Sequence, residues 1–117
     1  MSTVARQRLI DQIARLVESS GRLRTELKGY EKTMSGIARR LEAGEPGIGA
    51  SAGTDIPSQR KRVTEVIEEF EAERRLLRLA LFTLGKEEGA SISEIGRVLG
   101  ISRQLASRLA GEAARSE

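Results

Sequence analysis

The chain contains no cysteine and no histidine. The first absence excludes disulfides, thiolate metal sites and cysteine nucleophiles. The second removes the usual general base near neutral pH and the commonest metal ligand. Aspartate occurs only at Asp11 and Asp55, so a carboxylate centre would have to be built from glutamates. No nucleophile–base pair or metal cluster can be composed from what remains, and neither an enzyme nor a cofactor is expected. Aromatic residues are reduced to Tyr30, Phe70 and Phe82, and apolar residues fill 38% of the 117 positions. That is poor material for a broad globular core, but it suits narrow stripes of Leu, Ile and Ala on helices. No apolar run approaches the roughly 18 residues needed to cross a bilayer. The N-terminus also lacks the apolar core of a signal peptide, so no membrane association and a cytoplasmic location are expected.

What is present is Glu, Arg, Leu and Ala in abundance, a composition that calls for an all-α protein. The net charge is +3, and its distribution matters more than its sum. Residues 1–43 carry nine Lys/Arg against five acids, whereas residues 85–117 carry five against five. The excess positive charge therefore lies at the N-terminal end.

Residues 1–43 read as one long coiled-coil helix. Leu9, Ile13, Leu16, Ser20, Leu23, Leu27, Tyr30, Met34, Ile37 and Leu41 follow one another at alternating steps of four and three, and nine of these ten are apolar. Such spacing keeps one seam facing a partner helix. The Ser20–Gly21 pair is a candidate kink or close approach, or simply a tolerated pair of small residues. Residues 44–57 hold four Gly and both prolines without periodicity and read as a flexible linker. The glycines fit a phosphate-cradling loop poorly, because the Lys-Ser/Thr ending is missing and no strand precedes them. Residues 58–84 form a second long helix, with Ser58 as its candidate N-cap and a seam of Val63, Ile67, Phe70, Arg74, Leu77, Leu81 and Leu84. Val66, Leu76 and Ala80 widen its apolar face. Exposing some ten Leu/Ile-class side chains would forfeit roughly 1.5–3 kcal/mol each. An antiparallel hairpin buries part of that surface, and pairing of two chains into four helices buries more, so a homodimer is expected.

Residues 85–117 are the most specific part. Leu84-Gly85 and Glu88-Gly89 offer helix stops, and Ser91 and Ser93 offer N-caps for a short helix over Ile92–Leu99. Gly100 then supplies a left-handed turn, Ile101 plugs it, and Ser102 caps a second helix running to about Ala114. Ile95 and Leu99 share the inner face of the first helix, Gly96 falls where the two helices cross, and Leu105, Ala106 and Leu109 form the inner face of the second.

The stretch Ser-Ile-Ser-Glu-Ile-Gly-Arg-Val-Leu-Gly-Ile-Ser-Arg-Gln-Leu-Ala-Ser-Arg-Leu resembles helix-turn-helix transcription regulators and the similar element of bacterial sigma factors. The resemblance covers about 25 residues, or about 45 with a supporting helix from Arg74. It implies a three-helix DNA-binding head. Ala106 departs from it, since Val or Ile is frequent there. The outward face of the second helix carries Arg103, Gln104 and Ser107, with Arg108 on its flank. Arg pairs bidentately with guanine and Gln with adenine, and the start of a recognition helix is what reaches base edges. Ser91, Ser93, Arg97 and Ser102 are the candidate phosphate contacts.

The functional expectation is sequence-specific binding of double-stranded DNA by a nucleoid-associated homodimer, in transcriptional regulation. Two alternatives stand beside it. One is an interaction protein with a helical protein partner and the C-terminal head as a docking module, favoured by the neutral head. The other is an architectural protein that bridges DNA. Arg6, Arg8, Arg15, Arg22 and Arg24 read either as non-specific DNA contacts or as a solvated coiled-coil face.

Overall fold

The computed structural model describes residues 3–116, and among them every regular element is a helix. They are α1 (Thr3–Glu42), α2 (Gly47–Ser51), α3 (Ile56–Glu87), α4 (Ile92–Leu99) and α5 (Arg103–Arg115). None is long and apolar enough to cross a membrane among the described residues. Contacts group the chain into two units: α1 up to Glu18 with everything from Glu71 onward, and residues 19–70.

The long helix α1 follows from a stretch without proline that is rich in good helix formers. It runs uninterrupted through Ser20 and Gly21. A Cβ added at Gly21 would meet only the tip of Arg24, at 3.7 Å, so tolerance rather than close approach explains that glycine. The end of α1 is set at Gly44, whose φ is +92°. There the Glu45 amide donates to the Arg40 carbonyl at 3.1 Å and the Gly44 amide to the Leu41 carbonyl at 3.0 Å, which uses up two orphan carbonyls.

In the unit of residues 19–70, α1 and α3 run antiparallel. Arg22 pairs with Glu69, the Arg62 Nε donates to Glu26 at 3.3 Å, and the Gln59 side chain donates to the Gly29 carbonyl at 3.4 Å. The inner positions of α1 here are Ser19, Leu23, Glu26, Tyr30, Thr33 and Ile37, all buried or half-buried. They keep the four-three rhythm, but alternate members of the expected series are displaced by one residue. Leu27 and Leu41 are exposed, as is Ile67 on α3, while Met34, Val63 and Phe70 are half-buried.

The linker expected over 44–57 is not a featureless connector. It contains α2, and Arg40 organises it: its guanidinium makes a two-pronged contact with Glu45 (2.6 and 3.2 Å) and donates to the carbonyls of Ala50 (3.0 Å) and Gly49 (3.2 Å). Ala50 is wholly buried as a result. Arg40 makes these bonds from outside the glycine-rich stretch, so composition alone could not reveal them. The second helix also begins before Ser58. The Asp55 carbonyl accepts the Gln59 amide at 2.9 Å, and Pro57 falls in the first turn, where its missing N–H costs nothing.

In the other unit, Ala5 and Gln12 are buried on α1 and Leu9 and Leu16 half-buried, whereas Ile13 is 45% exposed. Gln12 Nε2 donates to the Glu73 carbonyl at 3.2 Å and also contacts its carboxylate. The core of this unit is Phe82, Ile95, Ala106, Leu109 and Ala113, drawn from α3, α4 and α5. On α3, Leu77 and Leu81 are half-buried and Leu84 is buried. Gly85 does not end α3. It lies buried within the helix, and a Cβ there would stand 2.6 Å from the end of the Ile95 side chain. The stop is Gly89, at φ +85°.

Ser19 is 1% exposed, and its Oγ has no hydrogen-bond partner. An unsatisfied buried hydroxyl costs about 1–3 kcal/mol, and Ala is also the better helix former. Ser19→Ala is therefore expected to stabilise the protein by about 1 kcal/mol. Urea unfolding would measure this, and a lower midpoint for the variant would contradict the packing described.

Candidate nucleic-acid interface

Local chemistry fixes α4 and α5. Ser91 adopts an extended backbone, its Oγ accepts the Glu94 amide at 3.0 Å, and the Glu94 carboxylate accepts the Ser91 amide at 3.1 Å. This reciprocal pair satisfies two N-terminal donors that the helix itself cannot. Ser91, not Ser93, is thus the cap. At the other end Gly100 takes φ +68°, the Ile101 amide donates to the Gly96 carbonyl at 3.1 Å, and the Gly100 amide to the Arg97 carbonyl at 3.2 Å. A side chain would strain that left-handed backbone, which is why the turn needs glycine. Ser102 follows at once as the cap of α5, its Oγ accepting the Leu105 amide at 3.1 Å. Only Gly100, Ile101 and Ser102 separate the two helices.

The crossing of α4 and α5 is close. A Cβ built on Gly96 would lie 3.0 Å from the Ala106 Cβ, and Ala106 is 1% exposed. Alanine is therefore the residue this crossing accommodates, and the Val or Ile frequent in similar motifs would need a wider one. Ile101, Leu99 and Leu105 pack partly buried against the same core.

This packing leaves Arg103, Gln104, Ser107 and Arg108 all exposed on α5. Ser91, Ser93, Arg97 and Ser102 are exposed as well. Ser93, Arg97 and Arg103 come together along a groove of about 250 Å³, floored by Gly96, Ile101 and Ala106. Ser107 lies instead on a neighbouring groove of about 360 Å³, beside Lys86. Lys86 was not among the residues expected from the sequence. It sits at the end of α3, outside the motif, and only the packing of α3 against α5 brings it to the same side.

Charge is partitioned in a way that the residue count conceals. Of the acids in 85–117, Glu88 pairs with Arg6 of α1 and Glu112 with Arg75 of α3. Glu94 is engaged in its cap. Arg97, Arg103 and Arg108 form no ion pair among the described residues. Exposed pairs of this kind add little to stability, about 0–1 kcal/mol. Their effect is on the field, since they set two of the five acids of a nominally neutral segment against bases from outside it. No group of three or more acidic side chains that could hold a metal ion occurs among the described residues. No family model, curated protein or solved structure matches this chain.

Two outcomes test this geometry. Gly96→Val would force a branched side chain against Ala106, and overpacking of this kind costs about 1–3 kcal/mol. An unchanged unfolding midpoint would show the crossing to be looser than described. Donation from the Ser91 amide, then from its hydroxyl, with a smaller contribution from the Arg97 charge, holds the Glu94 carboxyl below its ordinary 4.5. A depressed carboxyl pKa stabilises the fold above the unfolded value, and the contribution is lost as pH falls through the folded one. The Ser91 amide resonance should accordingly titrate with a midpoint below 4.5, and Glu94→Gln should abolish the transition. A midpoint at or above that value would refute the capping role.

Proposed function

We propose that this protein binds double-stranded DNA sequence-specifically as a homodimer, with α4 and α5 acting as a helix-turn-helix and α5 as the recognition helix, and that it serves transcriptional regulation. The observation that carries the reading is the exposed row Arg103, Gln104, Ser107 and Arg108 on a helix whose inner face is packed, with Glu88 and Glu112 paired to bases on other helices. The mechanism begins with docking on phosphates through Ser91, Ser93, Arg97 and the capped start of α5 at Ser102. The Ser102 hydroxyl oxygen accepts its capping bond, which leaves its O–H group free to donate to a phosphate, whereas the Ser91 O–H is turned to the Glu94 carboxylate and Ser91 would contribute by its position at the start of α4. Lys86 joins this set. Base reading then falls to Arg103 and Gln104, which lie in the first turn of α5, with Ser107 and Arg108 one turn further on.

One observation favours a second reading, that the head docks a protein. On α4, Val98 is 79% exposed and Ile92 46%, apolar surface that phosphate contact does not use.

A gel-shift against random duplex pools at two salt concentrations separates the two. Retention of no duplex at low salt would sink the DNA reading. If reading is specific, Arg103→Ala should cost about 1–3 kcal/mol and relax preference at one base position. Equal weakening on every sequence would reduce Arg103 to a phosphate contact.

A further inference from the structure

Helix α1 carries two interleaved heptad seams. The inner one, through Ala5, Gln12 and Ser19, is buried within the chain. The outer one lies one residue along at every step, and most of its large apolar members are left out: Ile10 is 52% exposed, Ile13 45%, Val17 64%, Leu27 37% and Leu41 46%, with Met34 half-buried. Further along the same row stand Arg24 and Glu31, both exposed and in no ion pair among the described residues.

We propose that this outer seam of α1 is the dimer interface, and that its occupant is the same seam of a second copy, running antiparallel. With the two-fold axis between Arg24 and Leu27, seam positions face one another in layers. Ile10 meets the second copy's Leu41, Ile13 its Ala38, and Val17 its Met34. Each contact occurs twice by symmetry. The polar middle is complementary in the same register. Ser20 donates its hydroxyl toward Glu31 of the second copy, and Arg24 lies one helical turn from that carboxylate, within its reach. A parallel pairing would instead stack Arg24 on Arg24 and Glu31 on Glu31, placing like charges opposite each other in both layers.

This inference specifies the dimer of the proposed function. It shares no residue with the DNA-facing side, so a dimer that fails to retain DNA leaves it standing and refutes only the DNA reading. Sedimentation equilibrium of the full chain should show a dimer at tens of micromolar. Arg24→Glu and Glu31→Arg, each alone, should weaken it roughly tenfold by setting like charges together, and the double reversal should restore most of the loss. A monomeric wild type, or a double variant no tighter than the singles, overturns the proposal. The native chain has no cysteine. Mixed Ile10→Cys and Leu41→Cys chains should therefore cross-link to each other through a short thiol-reactive linker. Cross-linking of Ile10→Cys chains with themselves would mean a parallel seam and overturn it too.

Discussion

The helices of this protein meet through small residues. Ala5, Ser19 and Ala80 are buried where α1 and α3 run side by side, and Gly96 and Ala106 meet where α4 crosses α5. Gly85 leaves room for Ile95 in the same manner. A chain with three aromatic residues has little bulk to place between helices, so its backbones must come close for dispersion contacts to form at all. Close approach makes each contact intolerant of added volume.

That constraint ties the candidate interface to the rest of the molecule. The outer face of α5 is only as rigid as the crossing beneath it, and the crossing rests on Phe82 of α3 through Ile95. The same packing brings Arg75 to Glu112, while Arg6 of α1 reaches Glu88. In a segment whose formal charges cancel, two of the five acids, Glu88 and Glu112, are thereby drawn to bases on other helices, while Arg97, Arg103 and Arg108 form no ion pair among the described residues. The long helices therefore do more than support a head: they shape the field around it.

Much of the local structure was legible in the residues. The range of the short helix Ile92–Leu99, a serine cap before it at Ser91 or Ser93, the glycine turn at Gly100 and the next cap at Ser102 follow from chemistry confined to a few neighbouring positions. So does the long helix at the N-terminus. Misreadings arose where a residue's role depended on something distant. Gly85 looks like a helix stop until Ile95 packs over it, and 44–57 looks structureless until Arg40 bonds Glu45, Gly49 and Ala50. The expected seam mixed two surfaces. Leu9, Leu16, Leu23, Tyr30 and Ile37 lie on the inner one, and Ile13, Leu27 and Leu41 on the outer.

The sequence by itself determined that this protein is all-α, the range of the short helix α4 with its glycine turn, and which residue types an outward-facing α5 would carry, because helix propensity, capping and periodicity act over a few residues. Only the tertiary structure decided which of two overlapping heptad patterns turns inward. A repeat of fours and threes is satisfied equally by either row, and the choice falls to the contacts each row finds on α3, such as Gln12 with Glu73. It decided the charge around the exposed face of α5 for a similar reason. An ion pair such as Arg75 with Glu112 spans 37 positions of the chain, and no local pattern encodes it.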